Sequence, residues 1–233
     1  MPNGGRARDV YLLDSLDALE RSPFEGTVWR VVRAGRDPLQ GHASAGRWDP
    51  GTFDVLYTSL EADGAEAEMS FQLSRQPVYP SGLRFRLHEI AVAARKTLRF
   101  AHMRALASLG IKQARYADVA YVRTQEIGDA AFFLGFDGLV APSARWPCLN
   151  LVIFTERLGS ADLRLVKSEP VDLVAWRSRA QPKGGSAAPV QLTSNRPAAP
   201  MPPPMHMVTT TFLAPRRLPS IRAWPTRRAP LMP

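Results

Sequence analysis

Three side chains in one short stretch of this 233-residue sequence have types and spacings that could do chemistry together. Arg47 lies in Gly46-Arg47-Trp48, Tyr57 follows ten residues later in Leu56-Tyr57-Thr58-Ser59, and Glu68 comes eleven residues after that. A guanidinium pairs bidentately with phosphate oxygens, an aromatic ring offers a flat apolar face, and an ionised carboxylate stabilises positive charge developing beside it. One of each could hold a dinucleotide and stabilise a sugar cation. Singly, each has an ordinary alternative: Arg47 a solvated loop arginine, Tyr57 a packing aromatic, and Glu68 another helix glutamate beside Glu61 and Glu66.

The elements that must position them follow from periodicity. Thr27 to Val32 is β-rich and reads as a strand, as does Asp54 to Ser59; the loop between them is punctuated by Gly41, Gly46, Pro50 and Gly51, so Arg47 sits on a loop. Glu61 to Gln76 is rich in helix formers, with Ala62, Ala65, Met69 and Leu73 along one face and Glu68 beside that stripe. An N-terminal helix over about 9–20 is marked by Leu12 or Leu13, Leu16 and Leu19. Leu83 to Ala94 begins with the alternation of a half-buried strand, and Ala101 to Leu109 reads as helical. Thr124 is the expected N-cap of a helix from Gln125 to Leu134, ended by Gly135 and Gly138. Strands are expected at 139–141 and 149–154, with a last one at 163–166 before Pro170. Strands and helices mix without regular βα alternation, so the fold class is α+β, and no internal repeat is present.

Charge divides the chain. Residues 177–233 hold nine of the 30 Lys/Arg, none of the 21 Asp/Glu and 12 of the 21 prolines. The +9 net charge therefore belongs wholly to this segment, and 1–176 is balanced. Such a Pro/Arg-rich stretch buries too little apolar surface to offset its ordering entropy, and it reads as a disordered basic tail after a domain over 1–176. The tail is either a solvated extension or a weak, salt-screened contact for nucleic acid, anionic lipid or an acidic partner.

Several chemistries are excluded. No apolar run approaches the roughly 18–20 residues of a membrane span, and the N-terminus lacks a secretory apolar core, so a cytoplasmic chain is expected. The glycine cluster from Gly41 to Gly51 lacks the Lys-Ser/Thr ending and following helix of a phosphate loop. His42, His88, His102 and His206 have no second ligand at helical spacing, and Cys148 is the only cysteine, so no metal is expected. Cys148 precedes the apolar run Leu149 to Phe154 and reads as a buried small hydrophobe.

The ordered segments resemble the RES domain, the toxin of RES/Xre toxin–antitoxin pairs. The pattern appears as Trp29-Arg30, Gly46-Arg47-Trp48, Leu56-Tyr57-Thr58-Ser59 and Ala65-Glu66-Ala67-Glu68. It continues through Gln125 to Ala131, Gly135-Phe-Asp-Gly-Leu139, Pro142-Ser143-Ala144-Arg145 and Asn150 to Phe154, so that it spans about 25–155. Two features depart from it: Asp49, where the family usually has Asn, and the tail. A carboxylate at 49 could weaken anion binding beside Arg47 or hold the loop.

The resemblance implies an ADP-ribosyltransferase-like fold, a split, twisted β-sheet core with flanking helices. It also implies NAD as substrate, cleaved between nicotinamide and ribose with phosphate or water as acceptor. Mono-ADP-ribosylation of a protein and a non-catalytic binding protein are the alternatives. Nicotinamide leaves as a neutral group and needs no proton, so one carboxylate suffices where glycosidases usually use two. Glu68 would face the sugar cation, Arg47 and Arg30 would pair with the pyrophosphate, and Tyr57 would stack on nicotinamide. Ser143, with no base partner visible in the sequence, would position the substrate by a hydrogen bond instead of acting as nucleophile; Gln125 would assist binding or cap its helix. The implied partners are NAD, inorganic phosphate and an Xre-like helix-turn-helix antitoxin, with nucleic acid reached only through that antitoxin or weakly through the tail.

Overall fold

The computed structural model describes residues 7–77 and 82–180. Helix α1 (Val10–Asp17) starts where the Asp9 side chain accepts the Leu12 amide at 3.3 Å, and it buries Leu12 and Leu16. Strand β1 (Ser22–Arg33) pairs antiparallel with β3 (Phe85–Arg99) along nearly its whole length. The other edge of β3 is divided: β6 (Leu163–Val171) pairs with it from Phe85 to Val92, and β4 (Gly138–Pro142) runs parallel to it from Thr97 to Arg99. Between those partners the Arg95 and Lys96 amides donate to Asp137 Oδ2 at 2.7 and 2.9 Å.

From β4 the sheet passes antiparallel to β5 (Leu149–Phe154), then to β2 (Val55–Ser59), and returns to β1 at Trp29 opposite Ser59. Five strands thus close on themselves, and β6 extends the sheet along the part of the β3 edge that β4 leaves free, giving the expected α+β sheet core. Val28, Leu56, Ile90, Val92, Val140, Leu151 and Ile153, drawn from all five strands, form one core. Helices α1, α3 (Met103–Ala107) and α4 (Val122–Phe133) bury a second core against Leu98, Leu139, Val152 and Phe154. Helices α2 (Ala62–Ser74) and α5 (Leu173–Ala180) cover Val31 and Leu87 on β1 and β3.

Several boundaries differ from expectation for physical reasons. Helix α4 begins three residues early: Tyr121 is its N-cap, and Thr124 is a buried first-turn residue whose hydroxyl donates to the Tyr121 carbonyl at 2.9 Å. β3 continues beyond Ala94 because Asp137 and β4 supply partners there. β6 runs through Pro170, which an edge strand tolerates because no ladder bond needs its missing N–H. The helix α5 crosses the 176/177 composition boundary, so Arg177 and Arg179 are helical; the rest of the tail, with His206, lies outside the described residues. No helix among the described residues is long and apolar enough to cross a membrane.

Candidate active site

A cleft of about 930 Å³ opens between β1, β2, α2 and the loop that carries Gly46-Arg47-Trp48. That is the upper end of the range for small-molecule sites. Six arginines line it, Arg30, Arg33, Arg36, Arg47, Arg75 and Arg145, against two carboxylates, Asp37 and Glu68. The balanced charge of residues 1–176 is therefore unevenly distributed, and the cleft suits an anion.

Glu68 projects from α2, which lies close on the sheet because Gly64 has no Cβ: one built there would stand 2.5 Å from Cys148 Sγ. Glu68 Oε1 accepts from Ser143 Oγ at 2.7 Å and from Asn150 Nδ2 at 3.0 Å. Asn150 stands directly opposite Ser59 in the β2–β5 ladder and accepts the Ser59 hydroxyl at 2.6 Å through Oδ1. These bonds orient the carboxylate through one oxygen; among the described residues the other accepts no hydrogen bond. Ser143 therefore does have a carboxylate partner, contrary to the sequence reading, because the fold brings together residues 75 positions apart. Its oxygen also accepts from the Arg145 and Trp146 amides at 3.1 and 3.3 Å.

Arg47 is held by the chain after α3. Its Nη1 donates to the Tyr116 carbonyl at 2.6 Å and Nη2 to the Asp118 carbonyl at 3.3 Å, and its guanidinium lies 4.9 and 4.7 Å from the ring centres of Tyr116 and Tyr121. Arg30 Nη1 donates to the Pro38 and Gln40 carbonyls at 2.7 and 3.0 Å, which folds the β1–β2 loop back over the cleft. Burial lowers Arg30 to about 10, and it remains charged at neutral pH. Tyr57 lines the cleft, and its hydroxyl accepts the Trp48 amide at 2.8 Å and donates to Asp49 Oδ2 at 2.9 Å. Burial, then the Asp49 charge, hold this phenol well above its usual pKa.

Asp49 resolves the alternatives left open for it. Fully buried, it accepts the amides of Ser44, Ala45, Gly46 and Gly51 at 2.8–3.1 Å, together with the hydroxyls of Ser44 and Tyr57. It holds the loop. Gln125 neither caps α4 nor lines the cleft; its Nε2 donates to the Gly46 carbonyl at 2.9 Å and the Ala45 carbonyl at 3.3 Å, bracing the same loop. Gly128, one turn along α4, lets the loop lie against the helix, since a Cβ there would penetrate the Trp48 carbonyl.

Cys148 is buried, with burial pushing its thiol up to about 12, which fits a packing residue. Among the described residues no three His, Cys, Asp or Glu side chains converge as a metal site would require. The sequence reading singled out neither Asn150 nor Tyr121 as a site residue, and it placed Arg145 only within a motif. The available signal for Asn150 was a lone amide near the start of an otherwise apolar strand.

The ordered motifs thus converge on one cleft, and a family comparison covers the same span: the RES domain matches residues 27–174. The chain belongs to the RES domain family. Its RES domain runs from β1 to the start of α5 and contains every cleft residue described above. Among curated relatives, the NAD(+) phosphorylase MbcT of Mycobacterium tuberculosis strain H37Rv is 28% identical over 174 residues, covering 72% of this chain and 92% of the relative. The MbcT protein of Mycobacterium bovis matches to the same extent. Among solved structures, the MbcT–MbcA toxin–antitoxin complex of M. tuberculosis matches with a TM-score of 0.66 and 24% identity, over 74% of this chain and 98% of the matched one. That likeness supports the fold.

Proposed function

We propose that this RES domain cleaves NAD at the bond between nicotinamide and ribose and passes the ADP-ribosyl group to inorganic phosphate, with water as a poorer acceptor. The observation that carries the reading is a single carboxylate, Glu68, oriented by Ser143 and Asn150 at the wall of an arginine-lined cleft of dinucleotide size. The curated relatives named NAD(+) phosphorylase lend support. As the bond breaks, its electron pair moves to the pyridinium nitrogen, nicotinamide leaves neutral, and C1 of the ribose becomes cationic. Glu68 stabilises that charge electrostatically; the Ser143 and Asn150 bonds fix its carboxylate before reaction, so little reorganisation is needed in the transition state.

Arg47 and Arg30 take the pyrophosphate, Tyr57 packs against nicotinamide, and Gln125 acts through the loop it braces. Glu68, Arg47, Tyr57 and Ser143 thus make up the reacting centre. An antitoxin protein, of the Xre-like helix-turn-helix type on this reading, holds the enzyme in check; the toxin–antitoxin complex of the structural relative supports the antitoxin partner. Purified protein incubated with NAD should release nicotinamide, faster with phosphate than without. Intact fold with no release under either condition refutes the proposal, and label transfer from NAD to a lysate protein would support protein ADP-ribosylation instead.

A further inference from the structure

We infer that Arg145, with Tyr121 beside it, forms the site for the acceptor oxyanion and sets the choice between phosphate and water; the inference rests on the NAD-cleaving reading above. Arg145 follows Ser143 by two residues, and its amide donates to Ser143 Oγ at 3.1 Å, the hydroxyl that itself donates to Glu68. Its guanidinium carbon lies 3.3 Å from the centre of the Phe71 ring, and Phe71 is one turn beyond Glu68 on α2. Nη2 donates to the Ala117 carbonyl at 2.8 Å. Stack and carbonyl together fix the guanidinium plane within electrostatic range of the reacting carboxylate.

The carbonyls of Tyr116, Ala117 and Asp118 therefore hold two arginines side by side, Arg47 on the first and third and Arg145 on the second. Neither forms a salt bridge among the described residues. Burial, and then the charge of Arg47, lower the Arg145 pKa, while Glu68 and the Tyr121 hydrogen bond offset part of this. Two half-buried like charges beside one another call for an anion from outside the protein.

The reaction brings two anionic ligands, the pyrophosphate of NAD and the acceptor. An attacking oxygen must come within about 3–3.5 Å of C1 of the ribose. The cation that holds the acceptor therefore has to lie within reach of Glu68; Arg145, stacked on Phe71 one turn from Glu68 and within range of its charge, does so, whereas Arg30 is bonded to the folded-back β1–β2 loop. Hydrogen phosphate attacks through an oxygen that already carries negative charge, forming the C1–O bond as the C1–nitrogen bond breaks and yielding ADP-ribose 1″-phosphate, with no proton to remove. Water must lose a proton to react. Arg145 selects for the acceptor that brings its own charge.

The test is steady-state nicotinamide release by the full chain with NAD and phosphate varied separately and the products resolved, comparing wild type with Arg145→Gln and Arg145→Lys. Arg145→Gln should raise the phosphate KM about 10–100-fold, the worth of a hydrogen bond to a charged group, and shift product from ADP-ribose 1″-phosphate to ADP-ribose. Arg145→Lys should fall between them. A raised KM for NAD with an unchanged phosphate KM overturns the inference, as does wild-type release that ignores phosphate; the second result leaves NAD cleavage standing. Should the variants not fold, sulfate inhibition of the wild type decides: competition with phosphate supports the site, and competition with NAD overturns it. If the wild type releases no nicotinamide at any phosphate concentration, the NAD reading fails, and calorimetric titration with inorganic phosphate alone judges the anion site: weakening of tenfold or more in Arg145→Gln retains it, and equal binding refutes it.

Discussion

Asp49→Ala should lower the unfolding free energy by about 3–5 kcal/mol and Asp49→Asn by about 1–2 kcal/mol, through orphaned donors in the Gly46-Arg47-Trp48 loop. The alanine variant leaves four amides without an acceptor, those of Ser44, Ala45, Gly46 and Gly51, along with the Ser44 and Tyr57 hydroxyls. Each dry orphaned donor costs roughly 1–3 kcal/mol, so the four amides alone would total roughly 4–12 kcal/mol. Ser44, Ala45 and Gly51 are exposed residues, and water entering the vacated space replaces part of that loss. Asparagine keeps one oxygen for the Ser44, Ala45 and Gly51 amides but turns an amide group toward the Gly46 N–H, 2.9 Å from the present oxygen. Urea titration measures both costs, with an unchanged m-value; for a domain of this size the alanine variant should melt about 10 °C lower. The KM for NAD, read in parallel, separates the alternatives: a carboxylate that mainly opposed anion binding would give Asp49→Asn a lower KM and undiminished stability. That result, or a loss under about 1 kcal/mol in Asp49→Ala, refutes the loop-holding role.

Glu68→Gln retains an oxygen for Ser143 and Asn150 and removes only the charge, so nicotinamide release should fall at least about 100-fold with little change in melting temperature. Ser143→Ala and Asn150→Ala each remove one bond to the same oxygen and should slow release about tenfold, with a double variant that departs from additivity. Gly128→Ala drives a methyl into the Trp48 carbonyl and should destabilise by about 3 kcal/mol, seen as an earlier urea midpoint. Glu66, pushed up to about 7 by burial and then by the neighbouring Asp63 charge, binds its proton more tightly folded than unfolded. Its contribution is therefore present below the unfolded value of 4.5 and is lost as pH rises toward 7. Glu66→Gln should flatten that decline, measured by urea titration at pH 5 and pH 8.

Much of the fold was legible in the sequence because its signals are local. The 149–154 strand is apolar at every position but Asn150 and is paired along both edges, and it appears with the expected bounds. The helix bearing Glu68 was marked by helix formers and an apolar stripe. Where expectation failed, backbone geometry or a distant partner decided. β3 outran its alternation because Asp137 and β4 meet its far end, and Thr124 lost the cap because Tyr121 already bends the chain into α4. The site divides likewise: Arg30, Arg47, Tyr57 and Glu68 do line one cleft, while Asn150 and Arg145 acquire meaning only from what stands opposite them.

By itself the sequence determined the α+β class, the order of the RES motifs, and the supply of one carboxylate, one aromatic ring and several arginines within reach of each other. These depend on residue type and on periods of two to four residues, which neighbours along the chain settle. Only the tertiary structure decided that Ser143 and Asn150 hold the same oxygen of Glu68, that Asp49 ties its loop and does not oppose Arg47, and that three successive carbonyls hold two arginines together. Those contacts join residues as many as 82 positions apart, and their geometry comes from strand register and the close approach of α2 to the sheet, neither of which any local pattern encodes.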